Sequence, residues 1–306
     1  MKKYLSSLIL LLAAAIWGFA FAAQKAASNV APFTLGAARS IIATAFLIAI
    51  IPISDKISGS GRKLFSKEKK IDVTLTEIIA GIFCGAALTL ATFFQQAGIN
   101  AGTDAGKAPF ITALYVVLVP IYSLALKKRA PVNVWISVLI AAVGFYFLCI
   151  KDGFTIVASD ALVIVCAFLF PIQIIGIAHF SPRCDGIRFS AVQFLTCTVL
   201  NLILALITES PIALDAVFSA ILPIIFLGIG SSGIAYTLQI IGQRGLNPAV
   251  ASIIMSLESV FGVLGAAIFL GEKMSGREYL GCAIVFLAVV LSQIEFKTQK
   301  SKQQFT

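Results

Sequence analysis

The sequence predicts an all-α polytopic membrane protein of about ten transmembrane helices, arranged as two inverted five-helix repeats. Three observations predict it: hydropathy, the placement of charge, and self-similarity between the halves. Of the 306 residues, 59% are hydrophobic and 12% charged, where soluble globular chains have ~45–50% and ~25%. Mean hydropathy is +1.00. The charges collect in short stretches between apolar runs long enough to cross a bilayer.

The runs can be taken in order. The first covers 5–24. Lys2 and Lys3 precede it, and Ala20-Phe21-Ala22 has the form of a signal-peptidase site. At ~20 residues the run exceeds a typical signal-peptide core, and the repeat described below needs it as a member, so it is read as a span. Runs at 32–52 and 131–150 open near Pro32 and Pro131, residues suited to a first helical turn. Between them lie 75–98 and 104–126, the latter with Pro120 as a candidate break. The second half has 159–179, 187–207, 219–241, 247–270 and 277–294. Pro171 beside Gln173 suggests a broken sixth helix. Asn247-Pro248 pairs a cap residue with an N1 proline.

Charge sets orientation. With a cytoplasmic N-terminus, seventeen of the 23 Lys and Arg fall on the cytoplasmic side and five opposite, with Arg39 inside a span. That bias places both termini inside and requires an even number of helices. The expected location is the cytoplasmic (inner) membrane of a prokaryote, with the lipid bilayer as the surrounding partner. The net charge of +9 is therefore a topology signal and not a nucleic-acid surface. The basic stretch 57–70 reads as an inner loop in contact with anionic lipid.

The six cysteines form no CxxC pair and mostly sit in apolar runs, where Cys packs as a small hydrophobe. With a lone His179, no metal site is expected. No cofactor is expected either. GIGSSG (228–233) fits GxGxxG but follows no soluble strand, and its small residues suit close helix approach. GTDAGK (102–107) has the wrong spacing for a phosphate loop, with Ala108 where Ser or Thr is required.

LATFFQQAGINAGTDAGKAPF (90–110) resembles IAYTLQIIGQRGLNPAVASII (234–254). Gln95 matches Gln239 and Gly98 matches Gly242, each pair 144 residues apart. The first two helices of each half align at an offset near 153, as in Leu47 with Leu200. The halves are 1–151 and 152–306. Five helices is an odd number, so the second half enters the membrane inverted. Repeats of this kind occur in secondary transporters, with the substrate site near the midplane between them.

Four stretches carry a family resemblance: AAAIWGFAFAAQK (13–25), PFTLGAARS (32–40), GTDAGKAPFITALYVVLVPIYSLALKKR (102–129) and SLESVFGVLGAAIFLGEKMS (256–275). On these the chain resembles the drug/metabolite transporter superfamily and, within it, the EamA-like permeases. The resemblance implies a central cavity enclosed by helices one, three, four, six, eight and nine, with five and ten peripheral. It implies transport of small metabolites, amino acids, nucleotide sugars or drugs. Relatives often have proline after the ninth-helix glutamate. Ser259 stands there in this chain, which would leave the helix straighter.

Candidate site residues follow from burial. Glu258 lies mid-span, where a charge costs ~2.5–3.5 kcal/mol on insertion scales, so it faces a cavity or a partner. It is a candidate proton-coupling or cation-binding group, or a neutral carboxyl in a helix contact. Arg39 can snorkel, meet a substrate carboxylate or pair with an acid. Gln95 and Gln239 need partners or a wet cavity. Tyr236 shares a face with Gln239, and Thr112 with Tyr115, at i, i+3 spacing. Trp17 is too deep for an interfacial belt. Trp17, Gln95, Thr112, Tyr115, Tyr236 and Gln239 are thus the candidate substrate cavity, with Glu258 and Arg39 as its charged members. Gln96 points elsewhere. Gly81 and Gly85 form a GxxxG face that serves internal packing or a homodimer contact. An enzyme would show a clustered nucleophile, acid and base, or metal ligands, and one His with few buried acids does not. The expectation is a secondary transporter of a small organic solute, with an intramembrane enzyme or scaffold as the alternative.

Overall fold

The structure, a computed structural model, describes residues 2–58, 73–103, 107–127, 130–149, 157–270 and 275–294. Most of the basic stretch 57–70, from residue 59 on, lies outside the described residues, as do 104–106 of GTDAGK. The described chain is helical throughout. Among the described residues nine helical stretches are long and apolar enough to cross a membrane, and Val132–Leu148 is a shorter apolar helix. Large side chains such as Leu8, Ile82, Leu139 and Leu206 lie exposed around the bundle. That pattern suits a hydrocarbon surround, and a multi-pass membrane protein results.

The first five spans are α1 (Lys2–Ala26), α2 (Pro32–Ser58), α3 (Leu75–Asn100), a fourth split into α4 (Lys107–Thr112) and α5 (Tyr115–Ala125), and α6 (Val132–Cys149). The next are α7 (Ala158–Phe180) and α8 (Gly186–Thr208). The eighth span follows α9 (Leu214–Ser219) and consists of α10 (Ile221–Ile225), a π-helical segment (Phe226–Ala235) and α11 (Tyr236–Gly242). The ninth is α12 (Pro248–Met255) and α13 (Glu258–Leu270), and the tenth is α14 (Gly276–Gln293).

Local chemistry explains the starts. Thr74 and Glu77 form a reciprocal capping box on α3, and Ser275 and Glu278 do so on α14. Asp185 accepts from the Ile187 and Arg188 N–H groups at the head of α8. At α2 the capping carboxylate comes from elsewhere. Glu209, just past α8, accepts from Phe33 and Thr34 N–H at 2.8 and 2.7 Å.

The breaks differ from expectation. The sixth span is not broken, because α7 runs continuously through Pro171. Packing along α3 holds it, with Gly176 against Phe83 and Cys84, and the Cys84 thiol donating to the Gln173 carbonyl. The fourth span breaks at Ala113–Leu114 and not at Pro120, which lies inside α5. The ninth breaks at Ser256–Leu257 without any proline. Residues 113 and 257 are one 144-residue repeat apart, so both halves break at the same place. The eighth span, expected as one helix over 219–241, widens into the π-segment where Gly228, Gly230 and Gly233 weaken α-helical propensity.

Packing follows the repeat. The pairs α2 with α8 and α6 with α14 join equivalent helices of the two halves. The α3–α7 contact is mirrored by the eighth span against α1, and α1 against α12 and α13 is mirrored by α7 against α4 and α5. Gly81 and Gly85 pack inside the fold, against Val192, Gln193 and Thr196 of α8. The two chain ends share a face, where Ser7 Oγ donates to Gln293 Oε1 at 3.2 Å. On that face Arg188 holds Asp55 through two bonds of 3.0 and 2.9 Å, joining α8 to α2. On the opposite face Lys107 pairs with Asp160, joining α4 to α7.

Candidate functional site: a central cavity between the repeats

The close approach of α1 to α13 starts the site. A Cβ on Gly18 would come within 2.8 Å of the Glu258 carbonyl and 2.5 Å of Phe261 Cβ, so only glycine lets the two backbones meet here. Trp17 and Glu258, beside that contact, both line one cavity. Its lining is Trp17, Ala20, Phe21, Gln24, Arg39, Gln95, Thr112, Tyr115, Phe170, Gln173, Ile174, Ser231, Tyr236, Gln239, Met255 and Glu258. The cavity they enclose is small, ≈ 40 Å³. All eight residues singled out in the sequence lie on this wall. Gln96 does not: its amide donates to the Gln24 carbonyl and to Asn100 Oδ1.

The amides are positioned by one another. Gln95 Nε2 donates to Thr112 Oγ1 at 3.1 Å, bringing α3 to the end of α4. Gln239 and Gln173 form a reciprocal pair, each Nε2 donating to the other's Oε1 at 3.2 Å. Both glutamines of the repeat therefore make helix–helix bonds and also line the cavity. The aromatic walls are linked: Trp17 and Tyr236 have ring centroids 4.7 Å apart, Phe194 and Tyr236 5.5 Å, Tyr115 and Phe170 6.4 Å.

The two charges stand apart. Arg39 is 7% exposed, and its Nε donates to Ser232 Oγ at 3.0 Å and its Nη2 to Ser231 Oγ at 3.4 Å. It does not snorkel. Glu258 is 6% exposed. Its carboxyl lies within reach of the Tyr115 hydroxyl, while its Oε1 has no hydrogen-bond partner within the protein. Trp17 Nε1 likewise has none. Glu258 is the first residue of α13, where the half-helix N-terminus favours negative charge. Among the described residues no cluster of three His, Cys, Asp or Glu could hold a metal ion.

Sequence reasoning missed Ala20, Phe21, Gln24, Phe170, Gln173, Ile174, Ser231 and Met255 as lining residues. A signal for three of the lining residues was present. The 153-residue offset pairs Trp17 with Phe170, Ala20 with Gln173 and Phe21 with Ile174, so the α1 wall predicts the α7 wall. Ser231 was hidden in GIGSSG, which reads as a packing motif. Chemically, the cavity offers rings for an apolar body, amides and hydroxyls for polar groups, and an acid and a base that do not neutralise each other.

The EamA-like transporter family matches this chain over residues 5–150 and 157–293. An uncharacterized transporter of Archaeoglobus fulgidus is 30% identical over 292 residues, covering 95% of this chain and 86% of that protein. A solved crystal structure superposes with a TM-score of 0.74 at 19% identity, over 94% of this chain and 96% of the other, and shares the fold.

Proposed function

The chain belongs to the EamA-like transporter family, and on that premise we propose that it moves a small organic solute across the membrane by alternating access through the central cavity. The observation that carries this reading is the meeting of matched residues, Gln95 and Gln239, in one cavity beside an ionisable group at a helix break. Broken helices at matched places are the usual setting of transporter sites.

In the proposed cycle the halves 1–151 and 152–306 rock against each other about the paired helices α2–α8 and α6–α14. The breaks in the fourth and ninth spans take up the motion. The Arg188–Asp55 pair closes the face bearing the termini, and Lys107–Asp160 the other. The excess of Lys and Arg on the termini side supports cytoplasmic ends in a prokaryotic cell membrane. Trp17, Tyr115, Tyr236 and Phe170 hold the solute's apolar body, while Gln95, Thr112 and Gln239 meet its polar groups. Glu258 exchanges a proton. Its charged form is met by the Tyr115 hydroxyl and the α13 N-terminus, and its neutral form lets the cavity close without burying a carboxylate charge.

Purified protein in liposomes tests this directly. Solute accumulation should follow an imposed pH gradient, and Glu258→Gln should abolish that dependence while leaving facilitated exchange. Unchanged gradient dependence in Glu258→Gln would remove the proton role.

A further inference from the structure

We infer that Arg39, with Ser231 and Ser232, forms a subsite for a carboxylate, and therefore that the solute is an organic acid. This rests on the transport reading. A guanidinium cannot shed its proton in a protein, so Arg39 is charged wherever it is buried, and buried charges are normally paired. Among the described residues no carboxylate lies within ion-pair distance of it. Its hydrogen bonds go to two neutral hydroxyls. Glu209, the acid that α2 does meet, is engaged by the Phe33 and Thr34 N–H groups. Glu258 stands on the same cavity wall beside Tyr115 and not beside Arg39.

The local backbone adds a second observation. Ser231 and Ser232, which both accept from Arg39, lie in the π-helical segment Phe226–Ala235, and such segments recur at functional sites. The serines fix the orientation of the planar fork. Trp17 Nε1, a donor with no partner in the protein, belongs to the same wall. A fixed guanidinium fork suits the two oxygens of a carboxylate.

Binding to the full chain in nanodiscs would decide it, using 3-phenylpropionate, 3-phenylpropionamide and phenylethylamine, which share the ring and differ in charge. The acid should bind at least ~10-fold tighter than the amide, about 1.4 kcal/mol, and the amine weaker still. In Arg39→Gln the acid and amide should converge. Arg39→Lys, which keeps the charge but loses the fork, should keep part of the preference. The double variant Ser231→Ala, Ser232→Ala should weaken the acid several-fold and leave the amide unchanged. Equal binding of acid and amide, failure to bind the acid, or a preference that survives Arg39→Gln overturns the subsite. Carriage of the amide or amine without preference for the acid would leave transport standing and remove the subsite alone.

Discussion

The third and eighth spans occupy matched places in the two repeats, yet they are built differently. α3 runs unbroken from Leu75 to Asn100, while the eighth passes from α-helix through a ten-residue π-segment and back. Both use glycine to approach the second helix of the opposite repeat. Gly81 and Gly85 press against Val192, Gln193 and Thr196 of α8, whereas Gly228 presses against Ile42 and the Arg39 carbonyl of α2. Val192 and Arg39 are 153 residues apart, the offset of these helices. The same crossing is thus made twice, once with valine and once with a guanidinium held by serines. Repeat symmetry encloses the cavity, and local asymmetry supplies its chemistry.

The largest expected effect lies in the stiffer member. A Cβ on Gly85 would sit 2.6 Å from the Gln193 carbonyl oxygen, so relief requires backbone movement. Gly85→Val should cost about 3 kcal/mol, the upper end of overpacking, visible as a lowered melting temperature in detergent. Gly228→Ala meets the Ile42 side chain at 2.7 Å first and should cost less. Equal losses would mean that the π-segment is no more compliant than α3.

A smaller effect separates the matched glutamines. Removing the Gln239 amide leaves both amide groups of Gln173, which is fully buried, without their partner. Gln239→Leu should cost about 1–3 kcal/mol, the penalty for stranded buried polar groups. Gln95→Leu removes one bond to Thr112, whose hydroxyl keeps a 3.7 Å contact with Cys166 Sγ, and should cost about 1 kcal/mol. Thermal melts of the two variants rank them, and the reverse order would contradict the geometry.

How much of this was legible depends on which physics is local. The spans were readable because a bilayer demands long apolar helices. Gln95 and Gln239 were readable because polar residues are few enough in such a chain for a repeat to show. The breaks were not. Proline predicted one at Pro171, where none exists, and one at Pro120, where the chain breaks six residues earlier at Leu114. Backbone groups freed by proline are re-satisfied by neighbouring helices, which only the packed structure reveals. Ser231 and Ser232 were hidden for a related reason: their role depends on a π-turn that forms against α2.

The smallest effect tests the comparison at the ends of the two spans. Ile99 in α3 and Gln243 after α11 are 144 residues apart and each 1% exposed. The isoleucine packs in the main apolar core. Neither polar atom of the Gln243 amide has a hydrogen-bond partner within the protein. A buried amide without partners costs stability, so giving the second repeat the residue of the first, as Gln243→Ile, should raise the melting temperature slightly. Transport should be unaffected, since Gln243 is not part of the cavity wall. If the variant melts lower, the amide is served by a bound water or a solute group near the face that carries the termini. A loss of flux with unchanged melting would place Gln243 on the solute's route out of the cavity, one turn beyond Gln239. In that second case the two repeats would differ in a second place by a polar group that serves transport and not the fold.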